Sequence, residues 1–228
     1  GRFFSIAQDF PNQFPVYVYD DWLFGFGEAT GLFYPSLLIH PFALLLKFGI
    51  PINVAYNLLF ATIFISMSIL SFIAFKKFFE EDRLATIATI LYVGNWYNLH
   101  ELYTVTAIGQ ISAAAFVPLA LISSRCMLKN FRGDKNSWIV AVFAYTGIIE
   151  SHVLSSFIFV LGLGICFIIE VIRQKSIDVL DWKIFGKISI ATIALNAIFI
   201  VPFLISYSTI DININGMNSN GKFDSLLA

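Results

Sequence analysis

INVAYNLLFATIFISMSILSFIAF, residues 52 to 75, carries no ionisable side chain except Tyr56 and stops against Lys76-Lys77. As a helix it would rise about 36 Å, more than the roughly 30 Å hydrocarbon core of a bilayer. A run of this kind has no place in a water-soluble fold. The composition agrees: 58% hydrophobic residues, 13% charged and a mean hydropathy of +0.79, about half the charge of a soluble domain. The expected fold class is therefore all-α, a polytopic transmembrane helix bundle whose first partner is the lipid bilayer.

Downstream, residues 84 to 99 are apolar and are followed by the polar patch His100 to Thr104. Residues 107 to 124 form another apolar run, followed by Arg125, Lys129, Arg132 and Lys135. The run from 138 to 172 would be about 52 Å long, too long for one crossing. Glu150, Ser151 and His152 interrupt it near its middle, so it reads as a hairpin with its tip there. Residues 188 to 207 follow a basic linker, and Pro202 predicts a kink. This gives about six spans. Placing Lys76 to Arg83, Arg125 to Lys135 and Arg173 to Lys187 on the cytoplasmic side accounts for 11 of the 14 Lys and Arg. Residues 1–51, Asn98 to Thr106, the tip at 150–152 and the tail then face outward. The division is an outer segment 1–51, a bundle 52–208, and a loop or the start of another segment at 209–228.

Upstream lies DDWLFGFGEATGLFYPSLLIHPFALLLKF, residues 20 to 48, where a polar loop becomes an apolar segment. Asp20, Asp21 and Glu28 place three carboxylates close together, and Gly25, Gly27 and Gly31 free the backbone to pass near a ligand. Pro35 predicts a helix start and Pro41 a bend in a segment 35–48 too short to cross, lying in or dipping into one membrane face. Residues 1 to 10 repeat Phe3, Ile6, Ala7 and Phe10 at helical spacing, which predicts a surface helix. They do not form a signal peptide, and the chain reads as part of a longer protein.

On this topology His40, His100 and His152 fall on the outer side with Asp20, Asp21, Glu28, Glu101, Glu150 and Asp211. Wet loops carry such residues anyway, and Asp20 and Asp21 fit solvation as well as function. Glu150 and His152 stand apart, since an ionisable group at the end of barely sufficient spans is costly unless it is used or paired; the other role open to them is to cap a hairpin. His100-Glu101 fits a solvated turn as well, Gln110 a helix–helix hydrogen bond, and His40 an interface-facing side chain. Cys126 and Cys166 have no metal or disulfide spacing. No nucleophile elbow, phosphate loop, zinc signature or nucleic-acid motif is present.

The order of these features resembles the GT-C superfamily of polytopic glycosyltransferases, most like bacterial membrane proteins of the YfhO type and those labelled 6-pyruvoyl-tetrahydropterin synthase-related. The residues that carry the likeness are Gly25 and Gly27, Phe33-Tyr34-Pro35, the span from Gly109-Gln110 to Pro118, and Ser151-His152 opening a span. The resemblance implies transfer of a sugar from a polyprenyl-phosphate carrier on the outer face of a prokaryotic plasma membrane. It implies an acid soon after a first span, upstream of Gly1, with Asp20, Asp21 and Glu28 as supporting catalytic groups. Arg2, Gly25, Gly27, Tyr34, His100, Glu101, Gln110, Glu150 and His152 are the expected substrate-binding residues. The cofactor is left open, a divalent ion held by carboxylates against a phosphate being the one these residues allow. The competing class is a transporter or lipid flippase.

Overall fold

A computed structural model describes residues 2–10, 12–19, 28–129, 136–175 and 180–209. The fold is all-α, with two isolated β-bridges among the described residues, Tyr19 with Glu28 and Leu128 with Leu180. A short N-terminal segment comes first: α1 (Arg2–Asp9), α2 (Thr30–Phe33) and α3 (His40–Leu44), the last tightening into a 3₁₀ turn at Leu45–Phe48. The bundle follows as α4 (Ile52–Phe79), α5 (Asp82–Val93), α6 (Trp96–His100) with a π turn at Glu101–Val105, and α7 (Ile108–Ser124). It is completed by α8 (Ser137–Ile149), α9 (Val153–Gln174), α10 (Trp182–Leu195) and α11 (Ala197–Thr209).

Ala55, Leu59, Ile63, Met67, Ser71 and Ala74 of α4 recur about every four residues and are buried, which makes one stripe along the helix. Three of them are small, so α5 and α7 approach closely. The central helix is α7, which packs on α4, α8 and α9. In contrast, α9 has no buried residue over its whole length; it meets α7 and α8 at the edge of the bundle.

Two interior prolines shape the packing. Proline lacks an N–H, so the carbonyl four residues earlier is left without its helical donor, and in an apolar setting that carbonyl needs another. Pro118 frees the oxygen of Ala114, and the Tyr92 hydroxyl of α5 donates to it at 2.8 Å. Pro202 frees the oxygen of Ile198, and the Tyr17 hydroxyl donates to it at 2.6 Å. Each proline thus ties its helix to another part of the chain.

Several expectations change. Three helices are long and apolar enough to cross a membrane, α4, the α7 segment and α9, and the bent pair α10–α11 brings the number to four if it is one span. The expected six is not met, because the runs at 84–99 and 138–149 make helices of only 12 and 13 residues, about 18–20 Å. The first of these stops at Gly94, and Asn95 caps the next helix by accepting from the Asn98 N–H. The predicted kink at Pro202 lies instead at Asn196, where α10 and α11 meet at 77°. Asn196 stays buried there by donating to Thr146 Oγ1 and the Thr192 carbonyl.

The segment 35–48 is helical only from His40. Pro41 sits in the first turn of α3 and starts that helix rather than bending it. Gly49, at φ 78°, ends the 3₁₀ turn. The predicted surface helix exists as α1, but Phe3, Ser5, Ile6 and Ala7 are buried in protein, with Phe3 5.4 Å from the Tyr56 ring. His40 does not face an interface. It is 2% exposed, Val16 N–H donates to Nε2, and Nδ1 lies 2.7 Å from the Ser36 carbonyl. Nδ1 therefore carries the proton, and the neutral ring pins the 16–19 segment onto α3.

Candidate functional site

Contacts sort the connecting segments to two ends of the bundle. At one end Lys76 pairs with Asp82, Lys77 donates to Ser137 Oγ, and the Asp181 N–H donates to the Met127 carbonyl. At the other end α1, the 34–39 segment, the start of α7 and the turn between α8 and α9 enclose a cavity of about 330 Å³. That is within the usual range of small-molecule sites.

Glycine makes this end close up. A Cβ on Gly109 would lie 2.8 Å from the Ser151 carbonyl and 3.2 Å from His152 Cδ2. Only a residue without a side chain lets the first turn of α7 rest against the 150–152 turn. That turn is fixed from its other side by His152, which caps α9: its Nδ1 accepts the Ser155 N–H at 3.2 Å and lies 2.9 Å from Ser155 Oγ. With Nδ1 accepting, the neutral ring carries its hydrogen on Nε2. Desolvation holds the His152 pKa below the usual histidine value, which favours that neutral form. The cap and the cavity wall are one residue.

Glu150 is the chemical centre of the turn. It is 5% exposed, and its Oε1 has no hydrogen-bond partner among the described residues. Burial pushes its carboxyl up to about 7, because the charged form is deprived of water without receiving a compensating donor. The charged and titratable groups lining the same spaces are Arg2 from α1, Tyr17 and Tyr34 from the rest of the N-terminal segment, and His152.

Arg2 brings the cation. Its Nε donates to the Tyr19 hydroxyl and an Nη to the Tyr34 carbonyl, both at 3.3 Å, while the guanidinium lies 5.8 Å from the centre of the Tyr34 ring. It makes no ion pair with a carboxylate among the described residues. Two of its contacts are hydrogen bonds to neutral oxygens and the third is a cation–π contact, so among the described residues its charge is oriented but meets no carboxylate.

Of the residues expected from sequence, Arg2, Tyr34, Gln110, Glu150 and His152 line this one cavity, together with Gly109 and Ser151. Asp20, Asp21, Gly25 and Gly27 lie outside the described residues. Glu28 is outside the cavity; its backbone exchanges hydrogen bonds of 2.9 and 3.1 Å with Tyr19. His100 is also outside, its ring 6.0 Å from Trp96. Glu101 begins the π turn, is 9% exposed and has Oε2 without a partner among the described residues, but it does not line the cavity. No cluster of three potential metal ligands occurs among the described residues, and two of the three carboxylates expected to favour a divalent ion, Asp20 and Asp21, are not among them.

Sequence reasoning missed Tyr17 and Tyr19. The signal for Tyr17 was available in principle, since Pro202 inside an apolar helix announces a free carbonyl that needs a hydroxyl from elsewhere. Comparison with known protein families, curated proteins and solved structures returns no match to this chain.

Proposed function

We infer that the chain is the membrane-embedded part of a transferase that moves a sugar from a polyprenyl-phosphate carrier to an acceptor hydroxyl, in the manner of the GT-C superfamily. One observation carries the reading: a single cavity at one end of an apolar bundle holds both a guanidinium, Arg2, and a buried carboxyl, Glu150, neither with an ion-pair partner among the described residues. A lipid phosphate and a proton-transfer step ask for these two groups together. The acceptor oxygen attacks the anomeric carbon and its proton passes to the Glu150 carboxylate. The bond from that carbon to the phosphate oxygen breaks, and the departing phosphate takes the electron pair and meets Arg2. A carboxyl titrating near 7 is matched to such a step at neutral pH. The hydrogen on His152 Nε2 and the Gln110 amide supply orienting donors, and Asp20 and Asp21 keep the supporting role that the resemblance implies. On this reading the cavity faces outward.

The purified full-length protein would be incubated with radiolabelled polyprenyl-phosphate sugars. Wild type is expected to transfer label, Glu150→Gln to lose at least a hundredfold in rate, and Arg2→Gln to lose affinity for the donor. Full activity in Glu150→Gln would refute this assignment.

A second reading, a transporter, is favoured by the bend of 77° between α10 and α11, since interrupted helices line many transport paths. Flux of a labelled lipid across vesicles in the absence of any transfer would favour it.

A further inference from the structure

Glu150 borders two spaces. Besides the large cavity it lines a small one of about 10 Å³, closed by Tyr17, Ser36, Leu37 and Gly31 on the N-terminal segment and by Ile198 and Phe199 of α11. That volume is room for the centre of one water molecule and for little else. A buried water also needs at least two polar partners, and the lining provides them. Glu150 has a carboxyl oxygen without a partner among the described residues. Tyr17 has already committed its O–H to the Ile198 carbonyl that Pro202 leaves free, so its oxygen has lone pairs to offer an incoming donor.

The small space is also built, not left over. A Cβ on Gly31 would lie 2.4 Å from the Val16 carbonyl and 2.7 Å from Tyr17 Cα, so the backbone of α2 closes directly on the strand-like segment carrying Tyr17. Tyr17 itself is half-exposed and its bond to Ile198 lies at the surface.

We propose that this compartment holds one ordered water, bonded to Glu150 and Tyr17, through which the Glu150 carboxyl exchanges its proton with solvent from behind, independently of the large cavity. The carboxyl gives a proton to the water while the water gives one of its own to solvent at the Tyr17 edge. The water is restored and nothing is oxidised or reduced. The groups that bear on the carboxyl from the elements packed around it are Arg2, Tyr34 and His152 on the large-cavity side and Tyr17 on the other. An occupant of the large cavity would cut off the front route but leave this one open. The water site stands on geometry alone; its use in turnover rests on the transferase reading.

The test is infrared difference spectroscopy of the full-length protein in lipid, following the carboxylic C=O band that Glu150→Gln removes and the rate at which it shifts after transfer to deuterated water. Gln110→Trp, which fills the front cavity, is expected to leave that rate within about twofold of wild type. Tyr17→Phe and, separately, Ser36→Val, which narrows the compartment, are each expected to slow it about tenfold, the effect of one hydrogen bond on a transfer barrier. Persistence of the Glu150 band shows in each case that the turn is intact. Exchange stopped by Gln110→Trp, or unchanged in both rear variants, would overturn the proposal. These outcomes are read without substrate, so they are independent of whether the protein transfers sugar.

Discussion

Glu150→Gln is the most informative single change, because its effect on stability should reverse the usual intuition about acid groups. In the unfolded chain this carboxyl ionises near 4.5, and in the folded protein at about 7. The folded state therefore binds the extra proton between those values. Stability from this group is complete below pH 4.5, falls as pH rises through the window, and stays low above 7. The separation of the two values corresponds to at most about 3 kcal/mol, lessened by the water-accessible cavity at its side. Glutamine has nearly the same shape and does not titrate. Any constant cost of its amide cancels when the variant is compared with wild type at two pH values. Relative to wild type, Glu150→Gln should gain about 2–3 kcal/mol between pH 4.5 and pH 8, or on the order of 5–10 °C in melting temperature. The difference must be used, because His40 pulls the other way. Burial lowers the His40 pKa, so its contribution is present above pH 6.5 and is lost as pH falls through the lowered value, which flattens the profile of either protein alone. Melting would be followed by intrinsic fluorescence in one detergent across that range. A gap between variant and wild type that does not change with pH would refute the buried, unpaired state of this carboxyl.

Gly109→Ala must push its new methyl group away from the Ser151 carbonyl and the His152 ring. It should cost about 1–3 kcal/mol, and should also reduce binding of any cavity ligand; unaltered melting and binding would argue against the close contact of α7 with the turn. Tyr92→Phe should cost about 1 kcal/mol by stranding the Ala114 carbonyl, and much less in a Pro118→Ala background, where the alanine N–H supplies the missing donor. A double-mutant cycle on thermal unfolding that shows no coupling would contradict the pairing. His40→Phe should lose about 1–3 kcal/mol at pH 8, where the Val16 N–H is left without an acceptor, and should lack the loss of stability on acidification; an unchanged acid limb in equilibrium unfolding would mean that another group sets it.

Legibility from sequence followed the kind of information each feature needs. The class of fold is written in the run at 52–75, because apolar length alone separates a spanning helix from a soluble one. The break at Glu150 to His152 was legible for the same reason; Arg2, Tyr34, Gln110, Glu150 and His152 do line one cavity, but the six-span topology that grouped them is not kept, and His100 and Glu101, grouped with them, lie outside it. What the apolar pattern does not encode is where a run stops being one helix. The 84–99 run contains its own stop and start at Gly94-Asn95, which hydropathy ignores. The bend at Asn196 depends on a hydrogen bond to Thr146, fifty residues earlier. His40 looked like a surface residue because its two partners, Val16 and Ser36, are backbone groups that no side-chain pattern reveals.

The bare surface of α9 has a consequence for the whole molecule. Its 22 residues span about 33 Å, and it is held from one side only, by α7 and α8. Its tilt is therefore set by those contacts together with bilayer thickness: a thinner membrane leans it over to hide its apolar length, and a thicker one draws it upright. The top of this helix is the cap at His152, next to Glu150. Lipid composition thus acts as a lever on the turn, and hydrophobic mismatch becomes a variable that sets the shape of the cavity.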